Sequence, residues 1–347
     1  MNLKQLSEHL GLSQTTVSRA LNGYPEVREE TRRRIVSVAR EVGYIPNARA
    51  KGLATGRAMS IGHVIPVSKA HEMVNPVFAD FISGASEVYT AAGYDLTLSM
   101  VEDGAQEARY RDIRAKGNVD GLILHGPHRT DHRIDLLSEL GLPFVVHGRA
   151  SDMDAPYSWI DMNNRRAFKR ATQLLIELGH RRIALINGLE TMDFAWRRRE
   201  GYLAALEEAG IAPNPELMVQ GEMTEELGYS AMRKMRGMDA PPTAVLTSSV
   251  ITAIGVRHAL DETGLTLGRD ISLVTHDDDL GYLRNRAAVP VFTATRSSVR
   301  EHGKRAAEML LSLIADPETG PVQELLEADL IIGRSTGPAP ALEGPVV

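Results

Sequence analysis

Residues 12–23 read LSQTTVSRALNG. Val17, Ala20 and Leu21 recur at helical spacing as an apolar stripe, and Gln14, Thr15, Ser18, Arg19 and Asn22 fall on the other side. Ser13 stands where a side-chain oxygen caps a helix. Upstream, Leu3, Leu6 and Leu10 occupy i, i+3 and i+7 of an earlier helix, and Gly11 ends it where the chain needs a left-handed turn. Two short helices joined by a tight glycine turn make a helix-turn-helix, whose second helix enters the DNA major groove. Gln and Thr can hydrogen-bond base edges, the Thr methyl can meet thymine, and Arg can hold guanine with two bonds. Gln14 and Thr15, at the start of the second helix, are therefore expected to read bases, and Arg19 to reach a base or a phosphate. Ser and Thr are poor choices for an exposed helix with nothing to touch.

Working outward, a third helix is expected over 29–42, with Ile35, Val38, Ala39 and Val42 inward and Glu29 and Glu30 at its positive end. Gly43 sits at its C-terminal cap. Three such helices suffice for a small headpiece. YIPNARAKGLATGR follows at 44–57. Pro46 stops regular structure, Asn47 can cap a new turn, and Gly52 costs about 1 kcal/mol relative to Ala in a helix. A segment this short does not hold a helix alone in water, so it reads as a linker that coils only when something holds it.

Charge agrees. Residues 1–60 carry ten Lys+Arg against five Asp+Glu, a balance of +5, and the remainder carries 29 against 40, a balance of −11. A basic head on an acidic body points to a polyanionic partner for the head. At 347 residues, two or three domains are expected. The absence of cysteine excludes disulfides and thiolate metal sites. No run of about 18 apolar residues indicates a membrane-spanning helix, and the N-terminus lacks a signal-peptide pattern; a cytoplasmic protein is expected.

LKQLSEHLGLSQTTVSRALNG together with VREETRRRIVSVAREVGYIPNARAKGLATGR resembles the lac repressor (LacI) family of bacterial transcription regulators. The resemblance covers the whole headpiece and runs more loosely through nearly all of the chain. It implies that the linker becomes a hinge helix in the minor groove, where Leu53 wedges between base pairs with Ala50 and Lys51 beside it. Unstacking a base step costs a few kcal/mol, offset by the protein surface that the bent duplex contacts. It also implies phosphate contacts from Asn22, Thr31, Tyr44 and Asn47. The full set expected against DNA is Leu3, Ser13, Gln14, Thr15, Ser18, Arg19, Asn22, Thr31, Tyr44, Asn47, Ala50, Lys51 and Leu53.

After Ser60 the pattern changes. Strand-like runs at 60–67, 94–101, 119–126, 142–149, 181–188, 217–221, 243–249 and 271–278 alternate with helical segments such as 77–92, 165–178, 197–209, 224–236 and 250–263. This alternation means parallel sheets covered by helices on both faces. Eight strands in two sets of four suggest two similar lobes. The expected fold is thus a small all-α helix-turn-helix headpiece plus an α/β body of two doubly wound parallel-sheet lobes, similar to periplasmic sugar-binding proteins. The expected boundaries are headpiece 1–46, hinge 47–57, first lobe 58–160 plus about 291–320, second lobe 161–290 plus about 321–338, and a Pro/Gly-rich tail 339–347.

Ligands bind at the carboxyl ends of strands in such sheets, so the cleft between lobes is the expected effector site. Strand runs end at His125, at Gly148 with Arg149, at Ser248 with Ser249 and at Asp277 with Asp278. The resemblance adds Phe78 as an apolar wall, Arg198 as a donor, Asp277 as an acceptor and Ser248 where many members carry Asn or Asp; among Arg197–Arg199, the spacing to Gly201 selects Arg198. Met223 can line the pocket or pack in the core. An Asp after a strand can equally be the cap of the next turn, and His125 can be a core histidine.

No G-x-G-x-x-G or G-x-x-x-x-G-K-[ST] phosphate loop is present, and no catalytic constellation, cofactor or metal site is expected. HGPHRTDH brings His125, His128 and His132 close in sequence, but without a helical period. The resulting expectation is a homodimeric repressor of sugar-utilisation genes, not an enzyme, released from a pseudopalindromic operator by a small sugar or glycoside. The alternatives are a sugar-binding protein without a transcriptional role and a regulator answering to a purine or sugar phosphate. The C-terminal GRSTGPAPALEGPVV has no heptad of the kind that would make a tetramer, so a dimer is expected.

Overall fold

The computed structural model describes residues 1–21, 23–44, 57–67, 76–285 and 287–340. They form two units, a headpiece and a body.

The headpiece holds α1 (Leu3–Leu10), α2 (Gln14–Leu21) and α3 (Glu29–Glu41). Asn2 and Gln5 close a reciprocal capping box on α1, and Gly11, at φ +66°, ends it in the left-handed region that glycine tolerates. Ser13 Oγ accepts from the Thr16 backbone N–H at 3.1 Å and so caps α2. Leu6, Leu10, Val17, Ala20, Val27, Ile35 and Ala39 make the core, with Leu21, Val38 and Val42 half-buried around it.

The body holds two sheets. The first-lobe sheet has the order β11-β5-β4-β3-β1-β2, from β1 (Ser60–Val67), β2 (Asp95–Glu102), β3 (Gly121–His125), β4 (Phe144–His147), β5 (Trp159–Met162) and β11 (Gln323–Leu326), all parallel. Its helices are α4 (Pro76–Ala91), α5 (Gln106–Lys116), α6 (His132–Glu139) and α11 (Val299–Ala315). The second-lobe sheet has the order β12-β10-β9-β8-β6-β7, from β6 (Ile183–Asn187), β7 (Met218–Gln220), β8 (Ala244–Thr247), β9 (Ser272–Asp277), β10 (Thr293–Arg296) and β12 (Asp329–Ile331). It is parallel except for β12, which pairs antiparallel with β10 at the edge. Its helices are α7 (Asn164–Glu177), α8 (Asp193–Glu208), α9 (Glu225–Arg236) and α10 (Val250–Asp261).

In the second lobe Ile186, Val245 and Leu273 join one core with Met232 and Met235 of α9, while Leu185, Leu246 and Val274 join the other with Phe168 and Tyr202. Both strand faces are buried, which is why these strands read as continuous apolar runs. In the first lobe, α4 crosses α11 with backbones in contact. A Cβ on Gly84 would stand 2.0 Å from the Arg300 carbonyl oxygen, and one on Gly303 would stand 2.0 Å from that of Phe81.

Each sheet has six strands rather than the expected four. The additions, β5, β10, β11 and β12, are three or four residues long and too short to show a period. They also move the expected boundaries. The first lobe continues through Met162, β10 belongs to the second lobe although 291–320 was assigned to the first, and β11 belongs to the first although 321–338 was assigned to the second. Strand pairing decides where the chain crosses between the lobes. The tail at 341–347 lies outside the described residues.

Candidate functional site

On the headpiece, α2 carries Gln14, Thr15 and Arg19 exposed and Ser18 half-buried, with the capping Ser13 exposed beside them. Leu3 and Tyr44 are two further residues expected against DNA. Both pack half-buried against the headpiece core, and burial raises the Tyr44 hydroxyl pKa. Thr31 is half-buried on α3. Asn22, Asn47, Ala50, Lys51 and Leu53 lie outside the described residues.

In the body, a cavity of about 190 Å³ opens at the carboxyl ends of both sheets, between the lobes. Phe78, Arg149, Arg198 and Met223 line it as expected. Arg149 Nε donates to Asp161 Oδ2 at 2.9 Å. Burial pushes the Asp161 carboxyl up to about 6 against the pull of Arg149. Asn164 Nδ2 donates to the other Asp161 oxygen at 3.3 Å, and Asn164 Oδ1 accepts from Arg198 Nε at 2.7 Å. Arg198 Nη1 donates to the Ser248 carbonyl at 2.7 Å. Its guanidinium is 4.9 Å from the ring centres of both Phe168 and Phe194, and burial lowers its pKa to about 10. This hydrogen-bonded line runs from the first lobe, at Asp161, into the second.

Three expected contacts do not face the cavity. Ser248 is buried and donates to Asn187 Oδ1 at 2.6 Å, so it props Arg198 rather than a ligand. Asp277 is buried at the end of β9, and its Oδ1 accepts from the Asp279 N–H at 2.9 Å across a turn in which Asp279 has φ +55°. Asp278 lines the cavity instead, 3.3 Å from His276 Nε2. Burial would raise the Asp278 carboxyl, but His276, with Arg198 and His302 beyond, outweighs it and holds the carboxyl below its usual range. His125 is fully buried behind the wall, which His147 and His302 supply. Burial takes the His147 imidazole down to about 3 and that of His302 to about 4.

Sequence reading missed His147, Asp161, Asn164, Phe194, His276, Asp278 and His302. At the end of β9 the strand-end rule reached the right pair but Asp277 was chosen over Asp278, because which of two adjacent residues faces the cleft depends on the twist of the turn. Residues 333–337, GRSTG, also carry the G-x-S-x-G spacing of a nucleophile elbow. Ser335 is 1% exposed, donating to the Leu273 carbonyl at 2.5 Å and accepting from Thr293 N–H at 2.9 Å, so it braces β9 against β10. Of the three close histidines, His125 is buried, His128 Nδ1 meets the Thr191 carbonyl at 3.0 Å, and His132 is exposed at the start of α6. They do not converge, and no group of metal ligands occurs among the described residues.

The profile of bacterial regulatory proteins of the lacI family matches residues 2–47, and that of the periplasmic binding protein-like domain matches residues 172–336. The chain is 45% identical over 340 residues to the HTH-type transcriptional regulator AglR of Rhizobium meliloti (strain 1021), covering 98% of this chain and 95% of that protein. The chain belongs to the LacI family. It is accordingly a DNA-binding transcription regulator, with a helix-turn-helix headpiece and a periplasmic-binding-protein-like body, and not an enzyme. The solved complex of transcriptional regulator CelR with cellobiose is 28% identical, with a TM-score of 0.72, covering 96% of this chain and 99% of that one. The lac repressor dimer bound to operator and the anti-inducer ONPF shares the fold, with a TM-score of 0.82 at 24% identity over 97% of this chain and 99% of that one. No helix among the described residues of this LacI-family chain is long and apolar enough to cross a membrane.

Proposed function

We propose that the protein is a cytoplasmic, homodimeric repressor of sugar-utilisation genes that leaves a pseudopalindromic operator when a small sugar or glycoside enters the interlobe cavity. The carrying observation is the cavity lining: it combines the Phe78 and Phe194 rings with the carboxylates of Asp161 and Asp278 and the guanidinium groups of Arg149 and Arg198. A sugar has apolar C–H faces that suit aromatic walls and a rim of hydroxyls that both donate and accept. The cellobiose bound to CelR supports this class. A sugar phosphate or other anionic effector would meet two carboxylates, with Arg149 already tied to Asp161.

On DNA, Gln14, Thr15 and Arg19 read the major groove, and Leu53, in the hinge, wedges into the minor groove. Effector binding changes how the lobes hold the two linkers, and a coupling of about 1–3 kcal/mol changes operator affinity roughly 5- to 150-fold. The test is a thermal-shift screen of the full chain against cellobiose, maltose, melibiose, raffinose, hypoxanthine and glucose 6-phosphate, followed by band shifts with operator fragments from its own genome. A neutral sugar that raises the melting temperature and releases DNA supports the reading. Stabilisation by hypoxanthine or the phosphate alone overturns it.

A further inference from the structure

His147 is the cavity end of a hydrogen-bonded chain that begins deep in the first lobe. Tyr89 Oη on α4 lies 3.1 Å from His63 Nε2 on β1. His63 Nδ1 lies 3.1 Å from His125 Nε2 on β3, and His125 Nδ1 lies 3.3 Å from His147 Nδ1 on β4. Tyr89, His63 and His125 are at most 1% exposed. Phe81 stacks on His147 with ring centres 4.1 Å apart and so fixes the plane of the last ring. Burial takes His63 and His147 down to about 3 and His125 well below its ordinary value. All three rings are therefore neutral near pH 7, and each carries a single N–H.

The direction of the chain follows from counting protons. A neutral imidazole has one donor and one acceptor, and a tyrosine hydroxyl has one proton. Four groups bring four protons to three links, so one proton is left over, at one end of the chain or the other. If Tyr89 donates to His63, then His63 Nδ1–H donates to His125 and His125 Nδ1–H donates to His147. The spare proton then sits on His147 Nε2. If every link is reversed, the spare proton is the Tyr89 hydroxyl hydrogen. Among the described residues Tyr89 Oη has no hydrogen-bond partner other than His63, so this proton would be buried without an acceptor. His147 lines the cavity, where water or a ligand can accept.

We infer that Tyr89, acting through His63 and His125, fixes the His147 tautomer so that the cavity receives an Nε2–H donor, which selects effectors that place an acceptor oxygen opposite it. His147 is a specificity-determining residue, and Tyr89, His63 and His125 are positioning residues. The selection of an acceptor oxygen rests on the effector reading of the cavity. The tautomer assignment does not, and it is tested without any ligand.

The experiment is a two-bond proton–nitrogen correlation spectrum of the full chain with nitrogen-15-labelled histidine near pH 7.5, with His147 assigned by the disappearance of its signals in His147→Gln. The expected pattern is a protonated Nε2 and a bare Nδ1 for His147, with the reverse for His63 and His125. Tyr89→Phe keeps the ring and removes the hydroxyl. Either polarity then leaves one unpaired His63 nitrogen, so the bias weakens and the His147 nitrogen shifts move toward the average of the two tautomers. A bare Nε2 on His147 in the wild type overturns the inference, as does a Tyr89→Phe spectrum unchanged at His147. If Tyr89→Phe does not fold, the wild-type tautomer alone decides. A failed sugar screen leaves this result intact, and a reversed tautomer leaves the sugar reading intact.

Discussion

Arg149 Nε lies 2.9 Å from Asp161 Oδ2, and both residues line the cavity between the lobes. The pair brings a cation from the loop after β4 against an anion on β5. Burial pushes the Asp161 carboxyl up to about 6, and the adjacent Arg149 guanidinium opposes it.

Burial makes the body acid-sensitive. His63, His125, His147 and His302 all have folded-state pKa values lowered by burial, to about 3, well below the ordinary value, about 3 and about 4 respectively. Between those values and the unfolded value of about 6.5 the unfolded chain binds more protons, so this stability is complete above pH 6.5 and is lost as pH falls. Asp161 acts in the opposite sense. Its raised pKa favours the fold below the ordinary carboxyl value, and that contribution is lost as pH rises through about 6. Four histidines outweigh one aspartate, so the melting temperature of the body should fall from pH 7 to pH 5. Asp161→Asn should steepen that fall. Calorimetric melts across this range check it, and a flat profile would sink the account.

The two aspartates after β9 should separate function from stability. Asp278→Asn removes the negative charge and replaces one of two acceptor oxygens with a donor, and is expected to abolish the effector response while operator binding stays within a factor of two or so. Asp277→Asn alters the support of the turn at Asp279 and is expected to cost about 1 kcal/mol of stability with the response retained. Band shifts and melting curves on the two variants distinguish them, and the opposite pairing of effects would return the ligand role to Asp277.

Arg198→Lys is not conservative here. The guanidinium spends Nε on Asn164 and Nη1 on the Ser248 carbonyl while lying between two phenylalanines. A lysine offers a point charge with no fork. Effector affinity should fall by about 10- to 100-fold, the size expected when a charge-assisted hydrogen bond of roughly 1.5–3 kcal/mol is lost. Titration calorimetry with the sugar found in the screen measures it, and unchanged affinity would remove Arg198 from the site.

On the DNA side, Gln14→Ala and Thr15→Ala should each weaken specific binding by about 1–3 kcal/mol and leave non-specific binding nearly unchanged, as base readers do. Leu53→Ala should weaken operator binding strongly and leave sugar-induced thermal shifts untouched. Salt-titrated band shifts on specific and random DNA provide the comparison.

The headpiece was legible because its logic is local. Three leucines, one glycine and a capping serine specify α1, the turn and α2 within nineteen residues. The alternation of the body was equally plain, since both strand faces are buried. The cavity was legible only to within a residue. Asp277 and Asp278, or Ser248 and Arg198, differ in role through backbone turns and long-range bonds that no periodicity encodes. Asp161 and Asn164 escaped notice because one lies in a four-residue strand and the other just past it, at a lobe crossing where pattern is weakest. His302 lies on a regular amphipathic helix and looks like any other polar position until α11 is laid against α4.

That crossing has a mechanical result. With Gly84 and Gly303 each pressed on the opposing carbonyl, no side chain fits between α4 and α11 where they cross. Phe78 and His302 ride on these two helices, so one flank of the cavity is built on a backbone-to-backbone contact. An alanine at either glycine would have to push the helices apart, and so would reach the cavity from a position that does not line it.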